Sequence, residues 1–275
     1  MSVDMEGATG VTNFEDVLPG KPSYERFRKL LTSDVNAAVE GAIDGGADKV
    51  VINEAHNTMR NVLIEDLHLK VELISGLFTK PLLMMEGVDK EPFDVAFLIA
   101  YHAKKGTKSA VLCHTLALGV NSIKINDQIV GETAISAATA GYYNVPVGLV
   151  TGDDKVVKES IGLLGHVETA IVKEGMDRMV AQCLSVKEST KRIKEAAKRA
   201  CDRVDEFCPY QLDPPIKFEI EFSSTNMASA AILIPAIHLV EPKTISFTTQ
   251  DFVEGLKLCN ASIILASAAG GPIVG

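Results

Sequence analysis

Four short runs rich in branched aliphatic residues, at 49–53, 94–101, 122–126 and 145–150, punctuate the first half of the chain, with helical patterns between them. That alternation argues for an α/β fold: a mostly parallel sheet flanked by helices. Residues 32–43 read as a helix stopped by Gly45 and Gly46, since glycine is the usual helix terminator. Asn126 and Asp127, between two short apolar runs, read as a tight turn. Near residue 180 the texture changes. Ser185-Val-Lys-Glu188 is a capping box, and Val186, Ile193, Ala197, Ala200, Val204 and Phe207 then recur at helical spacing until Pro209. The basic residues of that helix read as a solvated face. Strands at 216–222 and 244–247 and a helix at 250–266 follow. The pattern predicts a metal-binding catalytic α/β domain over 1–180 and a smaller C-terminal α/β subdomain over 181–275, ending in a weakly anchored tail from Ala268.

Several function classes fall away on charge and composition. With 27 basic and 36 acidic residues the net charge is −9, a sign that repels phosphate backbones, so no nucleic-acid partner is expected. The apolar stretches at 95–101 and 228–237 are too short or too interrupted to cross a bilayer, and no membrane partner is expected. The first residues carry no basic segment followed by an apolar run, so a cytoplasmic location is expected. The five cysteines, Cys113, Cys183, Cys201, Cys208 and Cys259, include no Cys-x-x-Cys pair and are expected to be reduced, mostly core thiols.

Five candidate metal ligands fall at strand ends or at the start of a helix that follows one. Asp4 and Glu6 stand two apart, so in a strand both carboxylates would face one side. His56 lies three residues beyond the run ending at Asn53, His102 directly follows the run ending at Tyr101, and Glu132 opens the helical stretch after Gly131. The carboxyl ends of strands in an open α/β sheet converge on one crevice. Two imidazoles and three carboxylates there would suit zinc, and would suffice for two ions if one carboxylate bridged them. A phosphoesterase could use the same cluster, and so could a binding module without turnover, although no glycine-rich phosphate cradle is present. Gly152-Asp-Asp154 reads either as a further acidic contribution to the crevice or, preferably, as a helix N-cap. His68, His166 and His238 have no partners at ligand spacing and read as structural or surface residues.

Taken together, a series of blocks resembles the dipeptide-operon D-aminopeptidase family of zinc peptidases. They are Ser2-Val-Asp-Met-Glu-Gly7, Asn53-Glu-Ala-His56, Ile74-Ser-Gly76, Met85-Glu-Gly-Val-Asp89, Ala100-Tyr-His-Ala103, His114, Ile125-Asn-Asp127, Val130-Gly-Glu132 and Gly152-Asp-Asp154. The resemblance runs from residue 2 to about residue 154 and is looser beyond. It implies two zinc ions per chain bridged by Asp4, with Glu6 and His102 on one ion and His56 and Glu132 on the other. It also implies that His114 is an active-site histidine and not a ligand, acting as proton carrier or oxyanion donor. The implied activity is hydrolysis of short peptides with N-terminal D-residues, such as D-Ala-D-Ala, by a metal-bridged hydroxide. The implied assembly is a ring-shaped homodecamer with its sites facing an internal channel. Ala100 stands where family members commonly have glycine, Cys113 stands where a small hydroxyl residue is frequent, and the strand before Asp4 is expected to be short.

Overall fold

In the computed structural model, which describes residues 1–77 and 80–269, two sheets carry the chain. The first half supplies β1 (Ser2–Val3), α1 (Phe14–Val17), α2 (Tyr24–Asp44), β2 (Val50–Glu54), β3 (Val71–Ile74), β4 (Ala96–Tyr101), β5 (Val120–Ile125), β6 (Gln128–Val130) and α3 (Glu132–Tyr142). The second supplies β7 (Val147–Asp153), α4 (Asp154–Leu164), β8 (Glu168–Asp177), β9 (Val180–Cys183), α5 (Val186–Asp202), β10 (Ile216–Phe222), α6 (Thr225–Ala231), β11 (His238–Glu241), β12 (Thr244–Thr249) and α7 (Phe252–Ala269). The larger sheet runs β3-β2-β1-β4-β7-β8-β9 and is parallel except for β9. The smaller runs β11-β12-β10-β5-β6 and is antiparallel. The mostly parallel, helix-flanked sheet expected from the alternation is the one found.

Residue pattern explains which strand goes where. Every residue of β4 and of β7 is buried, as strands covered by helices on both faces require. In β10, Ile216, Phe218, Ile220 and Phe222 are buried while Lys217, Glu219 and Glu221 are less so, the alternation of a sheet with one wet face. Helices α2 and α5 pack together over the larger sheet. A Cβ on Gly41 would lie 2.2 Å from the Lys194 carbonyl oxygen, so this close crossing depends on a residue without a side chain. The Ser185 cap forms as expected, its hydroxyl accepting from the Glu188 amide, and Arg192, Lys194 and Lys198 spend their charges on Glu188, Glu40 and Asp202 in water.

Four expectations need correction. The sheets do not part at residue 180: β5 and β6 belong to the antiparallel sheet, whereas β9 extends the parallel one. Helix α5 buries Ile193, Ala196, Ala197 and Ala200 among the residues packed with α2, so apolar area holds residues 181–202 to the first layer. The helix expected over 32–43 begins about two turns earlier, at Tyr24, and ends at Gly45 and Gly46 as read. Of the cysteines only Cys113 and Cys259 are buried, though all five are free. Finally, α7 is 18 residues long and by length and composition apolar enough to cross a bilayer. It packs against β10, β12, α3 and α6, burying Phe252, Leu256, Cys259 and Ile263. Of the tail, residues 270–275 lie outside the described residues.

Connectivity also locates the crevice. From β1 the chain moves outward through β2 to β3, then returns to place β4 on the other side of β1. The direction of winding reverses between β1 and β4, and loops leaving adjacent strands there diverge to opposite faces, which opens a cleft beyond the carboxyl ends.

Candidate metal centre

All five proposed ligands and His114 meet beyond that switch point. Strand β1 stops at Val3, so Asp4 and Glu6 leave it in a turn; the two-residue strand periodicity is not what brings them together. The Asp4 amide still donates to Ile99 O at 2.9 Å and the Gly7 amide to Ala100 O at 2.8 Å. A Cβ on Gly7 would fall 2.0 Å from the Tyr101 carbonyl oxygen, so glycine allows the turn to lie against β4. His56 comes two residues after β2, and His102 one residue after β4. Ala100 has φ 59° and the pairing of β4 with β7 shifts between Leu98 and Tyr101. The Ala100 amide donates to Thr151 Oγ1 at 2.8 Å. This left-handed residue is the one standing where a glycine would be unstrained. Glu132 is the first residue of α3, after the extended Gly131.

The ligands sort by strand neighbour. On the β2 side, His56 Nδ1 lies 2.9 Å from Glu6 Oε2 and 3.3 Å from Asp4 Oδ1. On the β4 side, His102 Nε2 lies 3.3 Å from Glu132 Oε1 and 3.4 Å from Asp4 Oδ2. Donor atoms of Asp4, Glu6 and His56 form one compact set, those of Asp4, His102 and Glu132 a second, and those of Glu6, His102 and His114 a third. Asp4 stands in both of the first two, as a bridging carboxylate would. Of the pairing implied by resemblance, Glu6 and His102 share the third set, while the shortest contacts join His56 to Glu6 and His102 to Glu132. Because β1 lies between β2 and β4, Asp4 reaches both sides while His56 and His102 are held apart.

Tautomers show what the cluster lacks. His56 Nε2 is 2.8 Å from Val17 O, His102 Nδ1 is 3.0 Å from Ala103 O, and His114 Nδ1 is 2.9 Å from Leu112 O. Each carbonyl is only an acceptor, so each of these nitrogens carries the proton, and in the neutral ring the other nitrogen turns a lone pair inward. Lone pairs of His56 and His102 then face carboxylate oxygens. Asp4 Oδ2, Glu6 Oε2 and His102 Nε2 are buried and make no hydrogen bond among the described residues. Among the described residues the side chains that ion-pair with these carboxylates are histidines, and the Met5 and Leu116 amides donate to Asp4 Oδ1 and Glu132 Oε1. Neutral rings and carboxylates gathered in so dry a place repel one another unless positive charge, a proton or a metal ion, lies among them, and the backbone bonds orient the rings as outer partners of metal-bound histidines do.

Charge perturbations have the same origin. Burial, reinforced by Glu6, pushes the Asp4 carboxyl up to about 7. For Glu6 burial acts upward too, but His56 outweighs it and holds the group well below the usual range. Burial opposes the charged form of His56 and His102, yet Glu6 and Glu132 respectively lift both well above the ordinary value. His114 moves down, through burial and then through His102, whose ring it stacks on at 4.1 Å between centroids. Its Nε2 lies 3.8 Å from Glu132 Oε1 and 3.9 Å from Glu6 Oε1. The cluster floors a cleft of about 270 Å³ whose walls include Phe14, Val17, Leu18, Leu116 and Ile263.

Some residues that shape the site were not legible in the spacing of its ligands. Lys173 in β8 is 1% exposed, and its Nζ donates to Glu6 O at 2.6 Å, Ala8 O at 2.9 Å and Val11 O at 2.7 Å. Burial lowers its pKa to about 8, while three carbonyls take all three protons of the charged form. The residues around it in β8, Glu168 to Asp177, include Thr169, Glu174 and Asp177, so its burial carried no signal in the sequence. Lys173→Met would strand three buried carbonyls, each worth about 1–3 kcal/mol when unsatisfied. Relief from burying a charge offsets part of this, leaving an expected loss on the order of 3 kcal/mol. Denaturant unfolding of metal-free protein checks it: an unchanged midpoint would mean the turn finds other donors. Neither Asp153 nor Asp154 joins the cluster; Asp153 caps α4, accepting from the Lys155 and Val156 amides, as preferred from the sequence. His68, His166 and His238 belong to none of the three sets.

Comparison with known proteins places the chain in a family. The family model described as D-aminopeptidase matches residues 1–261. A D-aminopeptidase of Bacillus subtilis (strain 168) is 37% identical over 257 residues, covering 92% of each chain. Among solved structures, the Zn-dependent D-aminopeptidase DppA from Bacillus subtilis, a self-compartmentalizing protease, superposes with a TM-score of 0.95 at 34% identity, covering 98% of both chains. Match, identity and coverage along nearly the whole length make the assignment: the chain belongs to the D-aminopeptidase family.

Proposed function

We propose that the chain is a zinc aminopeptidase that removes N-terminal D-residues from short peptides, with two ions per chain. One would be held by Asp4, Glu6 and His56, and the other by Asp4, His102 and Glu132. The observation that carries this reading is the pair of buried ligand sets sharing Asp4, with Asp4 Oδ2, Glu6 Oε2 and His102 Nε2 buried and without hydrogen bonds among the described residues. Mixed nitrogen and oxygen donors suit zinc, and the similar Bacillus protein is Zn-dependent. When bound, zinc supplies Lewis acidity toward a carbonyl and lowers the pKa of water.

The chain's own residues do the rest. The apolar walls of the cleft exclude bulk water and leave room for a few residues of substrate. His114 presents Nε2 to the same space while Leu112 O fixes its ring. A neutral imidazole there takes a proton at Nε2 and returns it to the departing amine. Exposed Leu233, Ile264, Met176 and Leu118 offer apolar surface for assembly. The ring of ten belongs to the same proposal, supported by the self-compartmentalizing character of the similar protein.

Purified protein assayed on D-Ala-D-Ala, L-Ala-L-Ala and p-nitrophenyl phosphate, before and after chelation, tests the reading. Hydrolysis of the D-dipeptide that chelator abolishes and zinc restores is the expected result. Turnover of the phosphate ester alone, or of no substrate, would sink it. Light scattering on the same sample should give about ten times the 29.5 kDa of one chain; a monomer would remove the ring.

A further inference from the structure

We infer that Asp153 is a positioning residue for His114: one carboxylate oxygen caps α4 while the other holds the loop that aims the imidazole. The inference rests on the reading of His114 as a proton carrier. Asp153 is 1% exposed. Its Oδ1 accepts from the Lys155 amide at 3.0 Å and the Val156 amide at 2.9 Å, which is all a helix cap requires. Its Oδ2 accepts from the Val111 amide at 2.8 Å, across 42 residues of sequence. A hydroxyl or an asparagine would cap α4 as well as aspartate does; only the second, long-range bond uses both oxygens.

That bond matters because the segment it holds is under backbone strain. Ser109, Leu112 and Leu116 have φ of 58°, 50° and 59°, left-handed values that residues with side chains rarely adopt. Such a conformation persists only where surrounding contacts fix it. Here the Val111 amide is fixed by Asp153 and the Leu112 amide by Arg178 O at 2.8 Å. Ser109 O packs so near Gly175 that a Cβ there would lie 2.1 Å away, and Gly175 is itself held through its amide by Asp154 Oδ1 at 2.8 Å. Leu112 O, one residue beyond the Asp153 anchor, is the acceptor of His114 Nδ1. The chain of contacts therefore runs from Asp153 through the 111–112 backbone to the nitrogen that sets the tautomer and plane of His114.

Register adds a second half to the device. Asp153 of β7 is the cross-strand partner of Lys173 of β8, and Lys173 holds the turn that carries Glu6. One pair of opposed charges on adjacent strands thus anchors the two segments that close on the cluster, the acid taking the loop of His114 and the base taking the turn of Glu6.

Asp153→Asn separates the two duties of the carboxylate. The amide oxygen goes to the helix end, where two N–H groups await it, and the NH2 group is left facing the Val111 N–H, donor against donor. The experiment is a double-mutant cycle on zinc-loaded enzyme with D-Ala-D-Ala, comparing wild type, Asp153→Asn, His114→Ala and the double variant. Asp153→Asn is expected to lower kcat roughly ten- to hundredfold with KM changed by less than about twofold, the cost of a misplaced group. Zinc content should match wild type. In the His114→Ala background the same substitution should change kcat by less than about twofold, because the group it positions is gone. Equal losses in both backgrounds, an unchanged kcat in a folded variant, or a fall in zinc content would each overturn the inference. If Asp153→Asn does not fold, Asp153→Ser takes its place, its hydroxyl capping α4 but falling short of Val111, with the same outcomes deciding. A fully active His114→Ala enzyme would remove the role of His114 and this inference with it, whereas a crippled His114→Ala beside a fully active Asp153→Asn removes the inference alone.

Discussion

Asp4→Asn is expected to deplete both metal positions, and unequally. Asp4 Oδ1 accepts the Met5 amide at 2.8 Å, so an asparagine would keep its single oxygen there and turn its NH2 group into the place of Oδ2. That place is 3.4 Å from His102 Nε2, where the NH2 group occupies the space a cation would take. The His102 and Glu132 set therefore loses an anionic ligand and gains an obstruction. The His56 and Glu6 set keeps a neutral oxygen but loses charge. Glu132→Gln leaves the His56 and Glu6 set untouched and should retain about one zinc per chain, the count of one closed ligand set, whereas Asp4→Asn should fall below that. Elemental analysis after dialysis against a weak chelator reads both. Full zinc content in Asp4→Asn would remove the bridging assignment. A complementary effect is expected without metal: the variant buries one fewer carboxylate in a pocket where only histidines offset three of them, so metal-free Asp4→Asn should unfold at no lower temperature than metal-free wild type.

The parts of this site legible in the sequence are those set by local pattern. Continuous apolar runs marked β4 and β7, and the residues just past strand ends marked His56 and His102, because parallel strands all open toward one edge. Ser185 and Asp153 announced helix starts through capping chemistry. What could not be read depends on which strands become neighbours. The shortest contacts among the ligands follow from β1 lying between β2 and β4, a non-local fact that the spacing of the residues does not carry. The boundary near 180 misled for a similar reason: β5 and β6 look like members of the first unit until β10 recruits them as neighbours. Lys173 sits 167 residues from Glu6, and nothing in its surroundings in the chain says that it ends beneath that residue. The exchange of glycine for Ala100 could be noticed in the sequence, but its meaning needed the φ of 59°. There alanine accepts a left-handed conformation to shift the register of β4 against β7 just before His102, at a cost of about 1–2 kcal/mol.

His114→Ala is expected to keep its fold and its zinc and to lose at least about a hundredfold in kcat, the lower end of what positioned proton transfer contributes. Geometry defines the competing outcome, because Glu6, His102 and His114 also form a compact donor set. Distances separate the two roles. His114 Nε2 is 3.8 and 3.9 Å from the nearest carboxylate oxygens, against 2.9 and 3.3 Å for the closest contacts of His56 and His102. Its ring stacks on His102 at an interplanar angle of 14°, an arrangement in which two parallel imidazoles converge poorly on one ion. Its burial is also less complete, at 13% side-chain exposure against 2% for His102, which leaves an edge open to substrate. The Nδ1 proton is committed to Leu112 O, so only Nε2 can exchange protons, and it faces the floor of the cleft where a peptide carbonyl and its amine must lie. Loss of zinc in His114→Ala would make it a ligand and dissolve this assignment. Retention of both zinc and turnover would make the ring structural, and the proton would then have to pass through a carboxylate at that wall, Glu132 or Glu6. His114→Gln distinguishes a lost donor from a lost base: a glutamine that restores much of kcat points to hydrogen bonding toward the developing oxyanion, and one that restores none points to proton transfer, which an amide cannot perform.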